Sequence, residues 1–389
     1  MTAKPNADLM HRNAIYVLLL TVAGLTALGM IMLFSTSAFA QESHGDIYFF
    51  VKRQGIWLVI STCAAIAAAC IDYTWWKRTW WLFFAAAFVL LILCFVPPIG
   101  MRINGSNRWI NLGALTFQPS ELAKVAALFF MAWWFQKYEM KSGTFLHGFV
   151  YPLAILGALI VPIVCEVDLG SSALIAGTGI AVMFIAGASL RWILPMAGVG
   201  LVGVIYAATH IDERMGRLLA FMDPEKYKLG EGLQQWQALI AFGSGGLDGL
   251  GLGEGRQKML YLPYAHTDFI FPMLGEELGL RITLLTVLGY LLICLCGSLV
   301  AMNARDRFGM LLGFGCVMMI SLQAAVNIGV TTSLLPNKGM PLPFISFGGS
   351  NLAICYFMIG ILVNIHRHGK PLAESTSPAL RRVRNFCKL

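Results

Sequence analysis

Charge is what this sequence has least of. Only 12% of its 389 residues are Asp, Glu, Lys or Arg while 58% are hydrophobic, and the mean hydropathy is +0.71. A soluble domain could not hide that much apolar surface, which excludes the soluble classes and leaves a polytopic membrane protein. The apolar runs do not alternate as barrel strands do, so a membrane barrel is excluded as well. Paired cysteine spacing is missing too. The nine cysteines sit mostly inside apolar runs, with no ligand spacing in any loop, and imply neither a zinc site nor an external disulfide. No clear cleavage site follows the first apolar run, so it is read as a retained span. The glycine-rich GSGGLDGLGLGEG, Gly243 to Gly255, lacks both a preceding strand and a GK[ST] ending. A nucleotide loop is therefore set aside in favour of a tight turn with close backbone packing.

What is present is a series of runs of about 20 residues, the length a bilayer core requires of a helix. Ten spans are expected: 14–36, 55–73, 80–98, 119–137, 148–165, 170–188, 191–209, 269–302, 308–332 and 345–367. The fold class is an all-α polytopic membrane protein with one integral-membrane domain over 1–367 and a basic tail over 368–389. Lys4, Arg12, Lys77, Arg78, Lys137, Lys141, Arg191, Arg305 and Arg307 fall on the same side as the basic tail. That side is read as cytoplasmic, with both termini inside. The net charge of +8 is explained by a basic tail beside an anionic leaflet and calls for no nucleic acid.

The outer side holds the one long loop, 210–268. Together with the first turns of span eight it carries half of the chain's 20 acidic residues. Its aromatic and aliphatic spacing predicts short amphipathic helices at the membrane surface. At its end, LPYAHTDFIFPMLGEELG brings His266, Asp268, Glu276 and Glu277 to the edge of an apolar run. Asp268 is either the N-cap of span eight or a partly desolvated carboxylate able to act as a base. His266 is either a hydrogen-bonding structural residue or a contact for phosphate or metal. Ideal helix geometry turns Glu276 toward an internal cavity and Glu277 to the far side.

Other polar clusters fall on the same side. Arg108, beside Trp109, is an anion contact or an interfacial anchor. Glu121 and Lys124, three residues apart, make an intramembrane ion pair. EVDLGSS, Glu166 to Ser172, places two acids in a short outer turn. The final outer loop, LLPNKGMPLPFISFGGSN, has three helix-breaking prolines and one basic residue, Lys338. Irregular backbone at that depth must be buried or line a cavity. The convergence describes an outward-opening polar cavity walled by apolar helices, suited to an amphiphile with an anionic sugar headgroup.

The segments NGSNRWINLG…FQPSELAK, EVDLGSS, RLLAFMDPE, GSGGLDGLGLGEGRQKMLYLPYAHTDFIFPMLGEELG and LPNKGMPLPFISFGGSN resemble, in order and across nearly the whole chain, the SEDS family of peptidoglycan glycosyltransferases. The form of these motifs is closer to its cell-division members than to its elongation, cell-shape members. The resemblance implies a ten-span fold in the cytoplasmic (inner) membrane that polymerises lipid II at the outer face. It also implies a class B penicillin-binding protein as transpeptidase partner within the division machinery. It makes Asp268 the catalytic base toward the acceptor's 4-hydroxyl. It matches Arg108, Glu121, Lys124, Asp168, Lys338, Ser346 and Ser350 to the family's motifs, with His266 and Glu276 as further substrate contacts. Arg108, Lys124, Lys338 or a divalent cation, Mg or Mn, would spread the charge of the departing diphosphate. Two departures stand out: Tyr264 replaces a glutamate, and Val167 replaces a proline, which should loosen its turn. An elongation-type polymerase and a flippase for lipid-linked precursors are the alternatives. A flippase would need polar groups at the midplane and inner side as well.

Overall fold

The structure is a computed structural model that describes residues 5–37, 48–97, 99–103, 106–111, 116–195, 198, 212–258, 262–263 and 265–369. It is predominantly helical. In chain order the helices are α1 (Pro5–Ser37), α2 (Phe49–Cys70), α3 (Tyr73–Leu93), α4 (Pro119–Lys137), α5 (Tyr151–Cys165) and α6 (Leu169–Ile185). They continue as α7 (Asp212–Met222), α8 (Leu233–Gly245), α9 (Ile270–Met302), α10 (Arg307–Thr331) and α11 (Gly349–His368). Among the described residues, seven helical segments are long and apolar enough to cross a membrane, and α6 is a shorter apolar helix. Leu20, Val59, Leu284, Leu285 and Leu295 stand well exposed along helix faces, as expected where lipid is the solvent.

Nine of the ten expected spans coincide with a helix. The seventh, 191–209, lies outside the described residues beyond a helical start at 190–195, as does the basic tail beyond Gly369. Some ends shift for local reasons. α3 begins at Tyr73 instead of residue 80 because the Asp72 side chain caps it, accepting from the Thr74 amide at 2.8 Å. Lys77 and Arg78 therefore lie in its first turns and not in a connection. The last span starts at Gly349, since residues 345–348 belong to the preceding loop.

An element absent from the all-helical reading lies between α3 and α4. Strands β1 (Gly100–Ile103), β2 (Ser106–Asn111) and β3 (Thr116–Phe117) form a small antiparallel sheet in the order β1-β2-β3. Asn104–Gly105, between β1 and β2, is a dipeptide that hairpins favour.

The long outer loop holds two short helices, as expected, but α8 does not simply rest on a surface. Its Gln235, Ala238, Ala241 and Gly245 are buried, and Gln235 Nε2 donates to the carbonyls of Leu335 at 2.9 Å and Val330 at 3.3 Å. The glycine run after α8 packs backbone to backbone against α9. Leu250 and Gly251 donate to the carbonyls of Glu276 and Glu277, and Leu280 donates to that of Gly246. α9 breaks helical geometry at Gly279, whose φ is 75°. Of the cysteines, Cys94, Cys296, Cys316 and Cys355 are buried, whereas Cys63, Cys70 and Cys165 lie on the outer surface of the bundle.

Candidate active site

Asp268 is not a helix cap. α9 starts at Ile270 with Phe269 at the cap position and no side-chain capping bond, so the carboxylate is released from the structural role open to it in the sequence. Its backbone is held from three directions. The carbonyls of His266, Thr267 and Asp268 accept, in turn, from Phe347 N at 3.0 Å, Ser346 Oγ at 2.6 Å and Asn327 Nδ2 at 2.8 Å. Three consecutive peptide groups are thus fixed by the last loop and by α10, the preorganisation a catalytic side chain needs.

That last loop, residues 332–348, is non-helical yet largely buried from Leu342 to Ser346. Its carbonyls must find donors, and side chains from three spans supply them. Asn327 serves Met340 at 2.6 Å, Gln323 serves Pro341 at 2.8 Å, Tyr290 serves Pro343 at 2.5 Å and Gln54 serves Ser346 at 3.2 Å. Ser346 Oγ also receives the Leu342 amide at 2.8 Å. Ser350 accepts the Gln118 amide at 3.3 Å and donates to the Thr116 carbonyl at 3.4 Å, joining the start of α11 to the sheet. The two serines are thus seated in the framework around Asp268.

Four charged side chains come within electrostatic reach of one another. Asp168 caps α6, accepting from Ser171 N at 3.2 Å, and also takes bonds from Gln118 at 3.1 Å and Ser120 at 3.3 Å. Arg108 Nη1 lies 3.9 Å from Asp168 with the guanidinium 28% exposed, at the long limit of an ion pair. Burial pushes Asp268 up to about 6, opposed by Arg108, assisted by Asp168 and opposed again by Lys338. Protein atoms surround the Asp268 carboxyl closely, while the residue as a whole has intermediate exposure. Lys338 extends over the first turn of α6, where its Cε faces Gly170.

Other expected site residues are placed differently. Lys124 Nζ donates to Glu121 at 2.7 Å and to Gln323 at 3.0 Å, while Asn351 donates to Glu121 at 3.1 Å. Both members of the pair are about 2% exposed, so their contacts are with the protein. Glu276 does not face an open cavity: it accepts from the amides of Arg256 at 2.9 Å and Gln257 at 3.1 Å. Nor is Glu277 turned to the far side, because it binds Lys258 at 2.6 Å, Ser35 at 2.7 Å and Gly253 N at 3.0 Å. The helix-wheel expectation failed because Asp268 lies outside the helix and both glutamates converge on the 253–258 segment. His266 stacks on Phe50 with centroids 4.2 Å apart, and burial lowers it to about 4. Its ring is neutral at pH 7 and brings no positive charge to a phosphate.

Gln323, Asn327, Lys258 and Glu166 went unassigned in the sequence reading. The signal for the first two was an uncharged polar residue within an apolar span. Val167 adopts a φ of 64°, a region a β-branched side chain enters rarely. It shapes a distinct turn where a loosened one was expected. Tyr264 lies outside the described residues. The groups around Asp268 do not make a ligand set for a divalent cation. No three His, Cys, Asp or Glu side chains group for one among the described residues, and a cation at Asp268 would meet Arg108 and Lys338.

The family model described as "Cell cycle protein", the FtsW/RodA/SpoVE family, matches residues 16–371. The chain belongs to this family. Among its relatives, the "Probable peptidoglycan glycosyltransferase FtsW" of Geobacter metallireducens is 40% identical over 363 residues, covering 93% of this chain and 96% of the relative. Stage V sporulation protein E of Bacillus subtilis is 37% identical, covering 95% of this chain and 100% of its own. The fold is similar to that of a chain in a peptidoglycan synthase complex, with TM-score 0.74, 23% identity, and coverage of 90% and 97%. It is also similar to the rod shape determining protein RodA of Thermus thermophilus, with TM-score 0.67, 24% identity, and coverage of 91% and 97%. FtsW/RodA/SpoVE membership makes the chain a multi-pass membrane protein, in keeping with its lipid-compatible surface.

Proposed function

We propose that this protein is a peptidoglycan glycosyltransferase that polymerises lipid II into glycan strands for cell-division wall synthesis, with Asp268 as general base. The observation that carries the reading is the Asp268 carboxylate. It is freed from capping, raised toward neutrality, carried by a residue of intermediate exposure, and flanked by Arg108, Asp168 and Lys338. The names of its Geobacter relatives support the reaction class.

In the proposed step Asp268 accepts the proton of the acceptor sugar's 4-hydroxyl as its oxygen bonds to C1 of the donor. The C1–oxygen bond to the lipid diphosphate breaks, and the electron pair leaves with the diphosphate. Arg108 and Lys338 are the side chains that neutralise that charge, a contribution of about 10²–10³ in rate for one well-placed donor. Asp168 holds Arg108 in place. Ser346, Ser350, Gln323 and Asn327 act through the backbone they bond, and Glu121 and Lys124 act through the side chains of Asn351 and Gln323.

The reading carries a location and a partner. The charge asymmetry supports the Asp268 end lying at the outer face, and the proposed membrane is the cytoplasmic (inner) one. The similarity to a chain of a synthase complex supports a class B penicillin-binding protein as the crosslinking partner. Purified protein with that partner, given lipid II, tests the assignment. Asp268→Asn should abolish polymerisation while preserving folding and partner binding, and full activity in that variant would remove the role. Vesicles with labelled lipid II on one leaflet separate polymer formation from translocation.

A further inference from the structure

Glu166 is a buried carboxyl group that the proposed reaction does not use. It sits in the turn between α5 and α6, is 1% exposed, and neither of its oxygens is given a well-formed hydrogen bond by any described residue. Its facing groups are few: the Cys94 thiol at the end of α3, a weak donor, Arg108 on β2, and Asp168 at the start of α6. The turn is tied to β2, since Ser106 Oγ donates to the Glu166 carbonyl. On the other side, Arg108 Nε is a buried donor that no described residue accepts. A buried acceptor and a buried donor, each unsatisfied among the described residues, therefore lie within electrostatic reach of each other while Arg108 Nη1 reaches to Asp168. Burial costs an uncompensated carboxylate far more than it costs a carboxylic acid, and it pushes Glu166 up to about 8, with Cys94 and Arg108 opposing and Asp168 assisting.

Resting on the polymerase reading above, we propose that Glu166 is a positioning residue that holds a proton in the working protein and thereby leaves Arg108 committed to Asp168 and the substrate. When Glu166 gives its proton to solvent, the resulting carboxylate takes up the idle Nε of Arg108 as an ion pair and draws the guanidinium from the diphosphate. Arg108 thus has two stations, and the protonation of Glu166 selects between them. The acid limb of the activity belongs to Asp268 and the alkaline limb to Glu166.

The full-length protein with its partner in lipid vesicles is assayed for polymerisation from about pH 5.5 to about pH 9.5. The wild type should lose activity above about pH 8, roughly tenfold per pH unit once the titration is complete. Glu166→Gln, the permanently neutral isostere, should abolish that fall and keep the acid limb. A variant with an unchanged alkaline fall overturns the proposal. Infrared spectroscopy gives a readout independent of turnover: wild type at pH 7 should show a protonated carboxylic acid band that Glu166→Gln lacks, and an identical spectrum overturns the proposal. Should the glutamine variant not fold, Arg108→Gln removes the cation that opposes protonation. The band's titration midpoint should then rise, and an unmoved midpoint overturns the coupling. If no preparation polymerises at any pH, the polymerase reading fails while the infrared result still judges Glu166.

Discussion

Gly339 lies directly against the carboxylate of Asp268, so close that a methyl group on its Cα would overlap Oδ2. The last loop thus does more than hold the backbone of 266–268; it leaves its side open for the carboxylate itself. Gly339→Ala should turn the Asp268 carboxylate aside without disturbing the exposed loop. Displacement of a reacting group by about 1 Å costs on the order of 10²-fold. Polymerisation rate measured beside thermal stability should show a large loss in the first and little in the second. Equal activity in the alanine variant would mean that the carboxylate tolerates the displacement.

The elevated Asp268 also predicts a pH signature. A base titrating at about 6 gives a rate that rises with pH through that value and levels until the alkaline fall assigned to Glu166 begins. The stability consequence has the opposite sense. A carboxyl raised above its unfolded value favours folding while protonated, and that contribution is lost as pH rises from about 4 to about 6. Asp268→Asn should therefore be more stable than wild type at pH 7.5, on the order of 1–3 kcal/mol, while inactive. Calorimetry that finds the variant less stable at that pH would contradict the burial account.

Lys124 and Glu121 are predicted to fail through the fold. Removing one charge leaves the other buried at about 2% exposure, a loss of about 3–5 kcal/mol. Lys124→Met and Glu121→Gln should each lower the melting temperature, and the double variant should lose less than the sum. Strict additivity would show that the two side chains do not form one unit.

The crossing of the glycine run and α9 makes a fourth prediction. Gly249 and Gly279 have φ values of 82° and 75°, and each Cα abuts backbone of the opposite segment. Alanine at either position meets both strain and collision. The segment around the buried Lys258–Glu277 pair, 2.6 Å across, should then become sensitive to protease. Unchanged cleavage in Gly279→Ala would show that the crossing is not tightly held.

The membrane class, nine of the span positions, the helical character of the outer loop and the neighbourhood of Asp268, Arg108, Asp168 and Lys338 were legible along the chain. Each follows from local quantities: hydrophobic length, turn residues, and the rarity of charge in apolar surroundings. The hairpin over 100–117 was missed because attention to long apolar runs passes over a short alternating segment. The glutamates of span eight were misdirected because one helical wheel was drawn through Asp268, a residue outside the helix.

By itself the sequence determined that the chain lives in lipid and gathers its few charges toward one end, because the cost of burying a charge is read residue by residue. Only the tertiary structure decided which charges face each other. It paired Glu121 with Lys124 and Gln323, assigned Glu276 and Glu277 to a loop, left Asp268 uncapped, and set Glu166 behind Arg108. Such choices depend on groups up to 242 residues apart coming within about 3 Å, and hydrogen bonds of that reach leave no mark on local periodicity.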